Sequence, residues 1–291
     1  IICAFSDYRD YNYYVTDQIS DDEVGTIYER RISTLKNWLE SGEERFTQAE
    51  KDFMIQKYKE LKTPFYYEYM DGWAALLQNI PTFILMLALV IGFLVSGIFS
   101  DEFQTKADSI FFSARFGRSK GISAKVGAGF CIATGFYLMF VFLYTFIVLF
   151  ILGADGANCP IQLDLWRSVY NITFLQAYLF IVLGGYIGTI FAATLGMLAS
   201  AFTHSTPTAV IVPFIVLCAF PFLSRIITLP GLCSFFPDQL LEIYLDIKEA
   251  GLITLGSKVT TIATVIVPVY AVVCLIFQPI LYRVYQKVEI K

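Results

Sequence analysis

Residues 126–153 read VGAGFCIATGFYLMFVFLYTFIVLFILG and include no Asp, Glu, Lys, Arg or His. A helix of about 20 mostly apolar residues crosses roughly 30 Å of hydrocarbon, so this stretch predicts a transmembrane helix. Four further stretches are long enough and have no charged side chain near their centres: 76–99, 172–201, 208–228 and 259–282. The sequence therefore predicts an all-α integral membrane protein with five complete spans.

The composition of the whole chain supports this class. Of its 291 residues, 56% are hydrophobic, and the mean hydropathy is +0.61, which is typical of membrane proteins. Proton- and ion-driven transporters usually keep carboxylates or histidines at membrane depth, and the predicted spans have none there. We therefore expect the energy for any transport to come from outside these helices.

The charges between the spans predict an orientation. Segment 100–125 has five basic residues against three acidic ones, and the C-terminus also has a basic excess. Because cytoplasmic loops carry the excess of Lys and Arg, we expect both to face the cytoplasm. Loops 154–167 and 229–257 then lie outside, together with residues 5–75, since long domains cross a membrane largely regardless of their charge.

The first four residues, Ile-Ile-Cys-Ala, are apolar and lie on the outer side in this orientation. We interpret residues 1–4 as the end of an earlier first span, which would give six spans with both termini inside. A cleaved signal peptide is the alternative interpretation.

Residues 5–75 are predicted to form an extracellular helical hairpin. Ser20 with Glu23, and Thr47 with Glu50, have the spacing of a capping box, in which the two side chains satisfy free amides at a helix start. Apolar residues recur at helical intervals after each box. Substrate gating, partner docking and a purely structural cap are all consistent with such a hairpin.

The outer loop 229–257 is unusually apolar. Its first part predicts a partly re-entrant segment, and the alternation over 238–250 predicts an interfacial helix. Cys233 in this loop and Cys159 in loop 154–167 leave two alternatives open, an inter-loop disulfide or two unpaired thiols.

The span 172–201 carries small residues four positions apart. Small side chains at this spacing allow helix backbones to approach closely in a membrane, so this face is predicted to pack against another helix of the same chain or of a second subunit. The row consists of Gly184, Gly188, Ala192, Gly196 and Ser200.

The cytoplasmic segment 100–125 predicts a short amphipathic helix beneath the membrane. Its start is acidic, its end is basic, and between them lie Ile110, Phe111, Phe112 and Phe116. An ordinary interfacial helix is one interpretation of this pattern.

The same segment resembles the loop after the second span in the permease subunits of ABC-2 type exporters. There, Phe-x-x-Glu-x-x-x-Gly-Thr is followed by an apolar stretch, an Arg and a Lys. Phe99, Glu102 and Lys125 match that pattern, whereas Lys106-Ala107 stands where the family has Gly-Thr. The resemblance implies a six-span ABC-2 type transmembrane domain over residues 76–291, with 100–125 as its cytoplasmic coupling loop.

The resemblance also implies a mechanism. Such permeases pair with a second copy or a homologous permease, and each docks on a separate ABC ATPase subunit that binds ATP and Mg²⁺. This chain has no Gly-x-x-x-x-Gly-Lys-Ser/Thr phosphate loop, so we expect it to carry no cofactor and no catalytic residue of its own. The residues that the resemblance assigns to coupling are Glu102, Phe103, Ile110, Phe111, Phe112, Arg115, Phe116 and Arg118.

Three other classes of protein require different sequence features. An intramembrane enzyme needs nucleophiles or metal ligands, but the only histidine is His204 in a short inner turn, so no metal site is expected. A channel or secondary transporter needs polar groups within the membrane, and Arg225 near the end of its span is the sole candidate. A ligand-binding, immunity-type or sensor protein without transport activity shares every feature except the ATPase.

The predicted cargo follows from the lining of the spans. Phe, Tyr, Leu and small residues provide no fixed charge to select an ion, which favours a hydrophobic or amphipathic substrate, with an amphipathic peptide preferred. We expect a multi-pass protein of the bacterial plasma membrane whose partners are the ATPase, a second permease, the lipid bilayer and the substrate, and not nucleic acid.

Overall fold

The computed structural model describes residues 2–5, 14, 18–43, 46–226, 234–256 and 258–287. The described chain is mostly helical. The predictions for the loop start at 229–233, for Cys233 and for the side chain of Arg225 lie outside the described residues.

Four short or medium helices precede the long ones. They are α1 (Ile2–Phe5), α2 (Asp21–Val24), α3 (Ile27–Glu40) and α4 (Gln48–Lys59). Both capping boxes are confirmed; at the second, the Thr47 amide donates to the Glu50 carboxylate at 2.8 Å. The first box begins only the four-residue α2, because the chain turns at residues 25–26 before α3 starts.

The middle of the chain contains two long helices joined by short ones. α5 (Asp71–Val95) is followed by α6 (Asp101–Gln104), α7 (Asp108–Ser113) and a π-helical turn, Gly117–Gly121, that leads directly into α8 (Ile122–Leu152). Segment 100–125 therefore holds three short helical pieces where the sequence predicted one helix.

The last third begins with α9 (Phe174–Thr203) and α10 (Thr206–Ile226). A 3₁₀ turn, Pro237–Leu240, precedes α11 (Ile243–Glu249). An antiparallel hairpin follows, made of β1 (Leu252–Leu255) and β2 (Lys258–Thr261), and leads into α12 (Ile262–Gln286).

Among the described residues, four helices are long and apolar enough to cross a membrane: α5, α8 with its preceding π turn, α9 and α12. The predicted span 208–228 corresponds to the 21-residue α10 (Thr206–Ile226), of which Thr206–Ala219 is apolar helix with described side chains. The last span was predicted from 259, but residues 258–261 form β2, so α12 begins at Ile262.

The helix α9 lies at the centre of the bundle and packs against α5, α8, α10 and α12. Its glycines permit this, because a Cβ at Gly185 would lie 2.7 Å from a methyl carbon of Ile84 on α5. A Cβ at Gly196 would come within 3.4 Å of the Gly92 carbonyl oxygen, also on α5. The core is therefore built on close backbone approach around one helix.

The connecting segments gather at two ends of the bundle. At the hairpin end, which we define as α3, α4, residues 154–173 and residues 250–261, the Trp38 and Trp166 rings lie 6.1 Å apart and Thr254 donates to Glu50 at 3.1 Å. At the loop end, defined as residues 96–125, 203–206 and the last turns of α12, Arg118 donates to the Gln286 carbonyl at 2.8 Å. Successive helices that cross a membrane in alternating directions would place their connecting segments in two such groups.

Candidate functional site

The loop end carries the residues that the sequence assigned to coupling. Its backbone is compact: Lys106 has a φ of +58° between α6 and α7. A side chain at Gly117 would clash with the Phe111 carbonyl, so the turn after α7 requires glycine at that position. The segment therefore has a fixed shape against the ends of the long helices.

An ion pair holds this segment to the bundle. Glu102 on α6 pairs with Lys125 on α8, and the two side chains are only 19% and 16% exposed. The hydroxyl of Tyr285 on α12 lies 3.4 Å from the same carboxylate and donates to it. One carboxylate thus connects the loop to two of the long helices.

An aromatic cluster surrounds this ion pair. The Tyr285 ring lies 4.6 Å from that of Phe99 and 5.2 Å from that of Phe112, and all three side chains are buried. Phe103 stacks on the imidazole of His204 at 3.7 Å, which ties the loop to the turn between α9 and α10. Glu102, Phe103 and Phe112, which the resemblance assigns to coupling, make these contacts within the chain, and their coupling role stays a prediction.

A different part of the segment faces outward. Ile110 is 73% exposed and Phe116 is 50% exposed. The guanidinium of Arg115 and the ammonium of Lys120 lie 5.2 and 5.0 Å from the centre of the Phe116 ring. We call Ile110, Arg115, Phe116 and Lys120 the cation–aromatic patch; Lys120 is the one member that the sequence did not single out.

Two predicted coupling residues lie between these groups. Phe111 is partly buried, and the Lys125 ammonium is 5.1 Å from its ring centre. The Arg118 guanidinium lies 4.8 Å from the ring centre of Phe112. Phe111 and Arg118 therefore contact the buried cluster from the part of the sequence that carries the patch.

The predicted row of small residues on α9 is buried within the chain itself. Side chains at Gly184 and Gly188 would meet Ile243 and Leu241 of the segment around α11. Ala192 and Ser200 are fully buried, and Gly196 faces α5 and α10. The partners of the row are therefore intramolecular at the glycine positions.

Sequence reasoning missed a second site, because it treated residues 238–250 as an interfacial helix. Gly188 is at the middle of the 30-residue α9, so the 3₁₀ turn Pro237–Leu240 and α11 reach far along that helix. Ile243 and Ile247 are fully buried. The glycines of α9 and the apolar residues of α11 were both visible in the sequence, but their pairing was not.

This segment brings carboxylates into the bundle. Asp238 and Asp246 are 4% and 7% exposed, and each has one carboxylate oxygen without a hydrogen-bond partner among the described residues. Burial, together with the charges of Glu242 and Asp238, raises the pKa of Asp246 to about 7. Within the described ranges, no group of three or more His, Cys, Asp or Glu is placed to hold a metal ion.

Cys159 at the hairpin end is buried, forms no disulfide with another described cysteine, and lies 3.9 Å from the Glu68 carbonyl oxygen.

No family model, curated protein or solved structure matches this chain. What the structure establishes is a class: the described part of the chain is mostly helical, and four of its helices are long and apolar enough to cross a membrane.

Proposed function

We propose that this chain is the permease subunit of an ATP-driven, ABC-2 type exporter in a bacterial plasma membrane. In this proposal the loop end is cytoplasmic, the hairpin end is extracellular, and the permease works as a dimer with a second copy or a homologous permease. The cation–aromatic patch docks on a separate ABC ATPase that supplies ATP and Mg²⁺. The cargo is a hydrophobic or amphipathic molecule, such as an amphipathic peptide.

One observation carries the proposal: the exposed patch belongs to a segment whose side chains contact the ends of three long helices. The Glu102–Lys125 pair and the Tyr285 hydroxyl connect the segment to α8 and α12. Phe99, directly beyond α5, packs on the same Tyr285. A displacement of the patch would therefore be transmitted to three helices rather than absorbed by a flexible loop.

The patch also has the chemistry of a protein-binding surface. Phe116 and Arg115 belong to the aromatic and arginine residue types that are enriched at protein interfaces. Arg115 and Lys120 in addition suit an acidic groove on a partner. A surface of this kind fits an ATPase that must grip the loop during its closing motion.

The test is ATP hydrolysis in nanodiscs by complexes of this chain with candidate ABC ATPase subunits of the source organism. We expect the wild-type chain to assemble and change the hydrolysis rate, and Phe116→Asp to lose both effects. Leu255→Asp is the matched control, because Leu255 is 46% exposed at the hairpin end. Equal assembly by the Phe116→Asp and wild-type chains would overturn the coupling assignment.

A second function, ligand binding without transport, is favoured by a cavity near the hairpin end. The cavity has a volume of about 350 Å³ and is lined by α5, α10 and the segment 238–248. A membrane-embedded sensor or immunity-type protein would bind its ligand in such a cavity and would need no ATPase. Ligand binding with no ATPase complex would select this function over the exporter.

A further inference from the structure

The cavity combines an apolar wall with two carboxylates. Its apolar lining includes Leu85 of α5 and Leu217 of α10, and Tyr244 of α11 adds an aromatic ring. Asp238 and Glu242 also line it. Its volume of about 350 Å³ lies at the lower end of the roughly 300–1,000 Å³ that is usual for small-molecule sites.

Asp238 is the residue that most clearly lacks a partner. Its side chain is 4% exposed, and its Oδ1 atom has no hydrogen-bond partner within the described chain. Its Oδ2 atom receives a long contact of 3.4 Å from the side-chain amide of the neighbouring Gln239, and the backbone amides of Asp238 and Gln239 also favour the charged carboxylate. A buried carboxylate oxygen without a partner is costly, so this atom favours a ligand that can donate a hydrogen bond or a positive charge to it.

The charges around the cavity are unbalanced. Glu242 is half-buried beside Asp238 and forms no ion pair within the described residues. Lys248 lines the same cavity, but its ammonium lies 4.0 Å from the carboxylate of Glu249, outside the cavity lining. Among the described lining residues, two carboxylates thus face one partly engaged cation, which disfavours an anionic ligand.

We propose that this cavity binds a monovalent organic cation with an apolar body, namely a protonated amine. The ammonium group donates to Asp238 Oδ1 and is balanced by Glu242, while the apolar body lies against Leu85, Leu217 and the Tyr244 ring. The identification of a protonated amine as the cargo rests on the proposed exporter function. The proposed binding of the amine in the cavity does not require an ATPase.

Other ligand classes fit less well. Mg²⁺ and Ca²⁺ require about six to eight oxygen ligands, including water, at close range, and most of this lining is apolar. A neutral apolar molecule would fill the cavity yet leave the Asp238 oxygen unpaired. An ammonium with an apolar body satisfies both features.

The test is direct binding of 4-phenylbutylamine to the full chain in nanodiscs of zwitterionic lipid, with binding to empty nanodiscs subtracted. The neutral control is 4-phenylbutanol and the anionic control is 4-phenylbutyrate. We expect saturable binding of the amine, at least tenfold weaker binding of both controls, and at least a tenfold loss of amine affinity in Asp238→Asn. Glu60→Gln, an exposed position directly after α4, should bind as the wild type does.

Thermal unfolding of each variant checks that the fold is kept, and Glu242→Gln provides a second variant in the same cavity. Equal affinity for the amine and the alcohol, or an unchanged affinity in folded Asp238→Asn and Glu242→Gln, would overturn the proposal. Amine binding without any ATPase complex would overturn the exporter but keep this site. An ATPase complex without amine binding would overturn this binding site but keep the exporter.

Discussion

At the scale of single residues, the role of each side chain in the loop end depends on whether it faces the bundle or the solvent. Phe112 and Phe116 are four positions apart and would share one face of a continuous helix. The structure ends α7 at Ser113, and Ala114 has a ψ of 140°, so the chain direction changes between them. Phe112 is buried and Phe116 is half-exposed for that reason.

The first prediction at this scale concerns the ion pair. Lys125→Met leaves the Glu102 carboxylate largely buried without its cation, so we expect a loss of roughly 3 kcal/mol in the free energy of unfolding. Unfolding in detergent measures the loss, and the exposed Lys120→Met is the control. The double variant Glu102→Gln/Lys125→Met should regain part of the stability; a single variant as stable as the wild type would contradict the anchoring role.

The second prediction concerns pH. The pKa of Asp246 is raised to about 7 by burial first and by Glu242 and Asp238 next. In the unfolded chain this group titrates near its ordinary value of about 3.9, so the folded state binds more protons between these two pH values. Stability therefore falls as the pH rises from about 4 to about 7.

Melting temperatures measured over that range should decrease less steeply with pH in Asp246→Asn than in the wild type. The comparison isolates this group, because the other carboxylates are unchanged. Parallel curves for the two proteins would contradict the raised pKa.

At the scale of helices and strands, much of the architecture was visible in the sequence. The capping boxes at Ser20 and Thr47 are local signals, and both are found in the structure. The hairpin of β1 and β2 was missed, although its β-branched residues on both sides of Gly256, which has a φ of +65°, are a recognisable turn pattern. The hairpin was missed because β2 directly precedes an apolar span, and an apolar run by itself does not distinguish a strand from a helix.

The packing of α11 could not be predicted, because it depends on which face of α9 is left free by the other helices.

The contact between α11 and α9 gives the third prediction. Gly184→Val places side-chain atoms where Ile243 lies, and overpacking of this kind costs about 1–3 kcal/mol. Gly135→Val on α8 is the matched control, since a Cβ at Gly135 would meet open space out to 4 Å. Thermal unfolding in detergent should separate the two variants; equal stability would contradict the packing of α11 on α9.

At the scale of the whole molecule, composition and hydropathy were sufficient to predict a helical membrane-type protein, and the part of the chain that the structure describes has four helices of the required length. The candidate sites were less predictable. Burial of Glu102, Phe103 and Phe112 is decided by Tyr285 and His204, which are far away in the chain. Asp238 enters the bundle only because distant glycines make room for its neighbours. Such long-range contacts leave no periodic signal in a sequence.

The central claim is that the cation–aromatic patch contacts an ABC ATPase, and site-specific cross-linking in living cells tests it most directly. A photoreactive phenylalanine analogue replaces Phe116 in one variant and Leu255, at the hairpin end, in the other. We expect a light-dependent product from position 116 that contains an ABC ATPase subunit, and none from position 255. A protein from position 116 that is not an ATPase, or the same product from both positions, would contradict the claim.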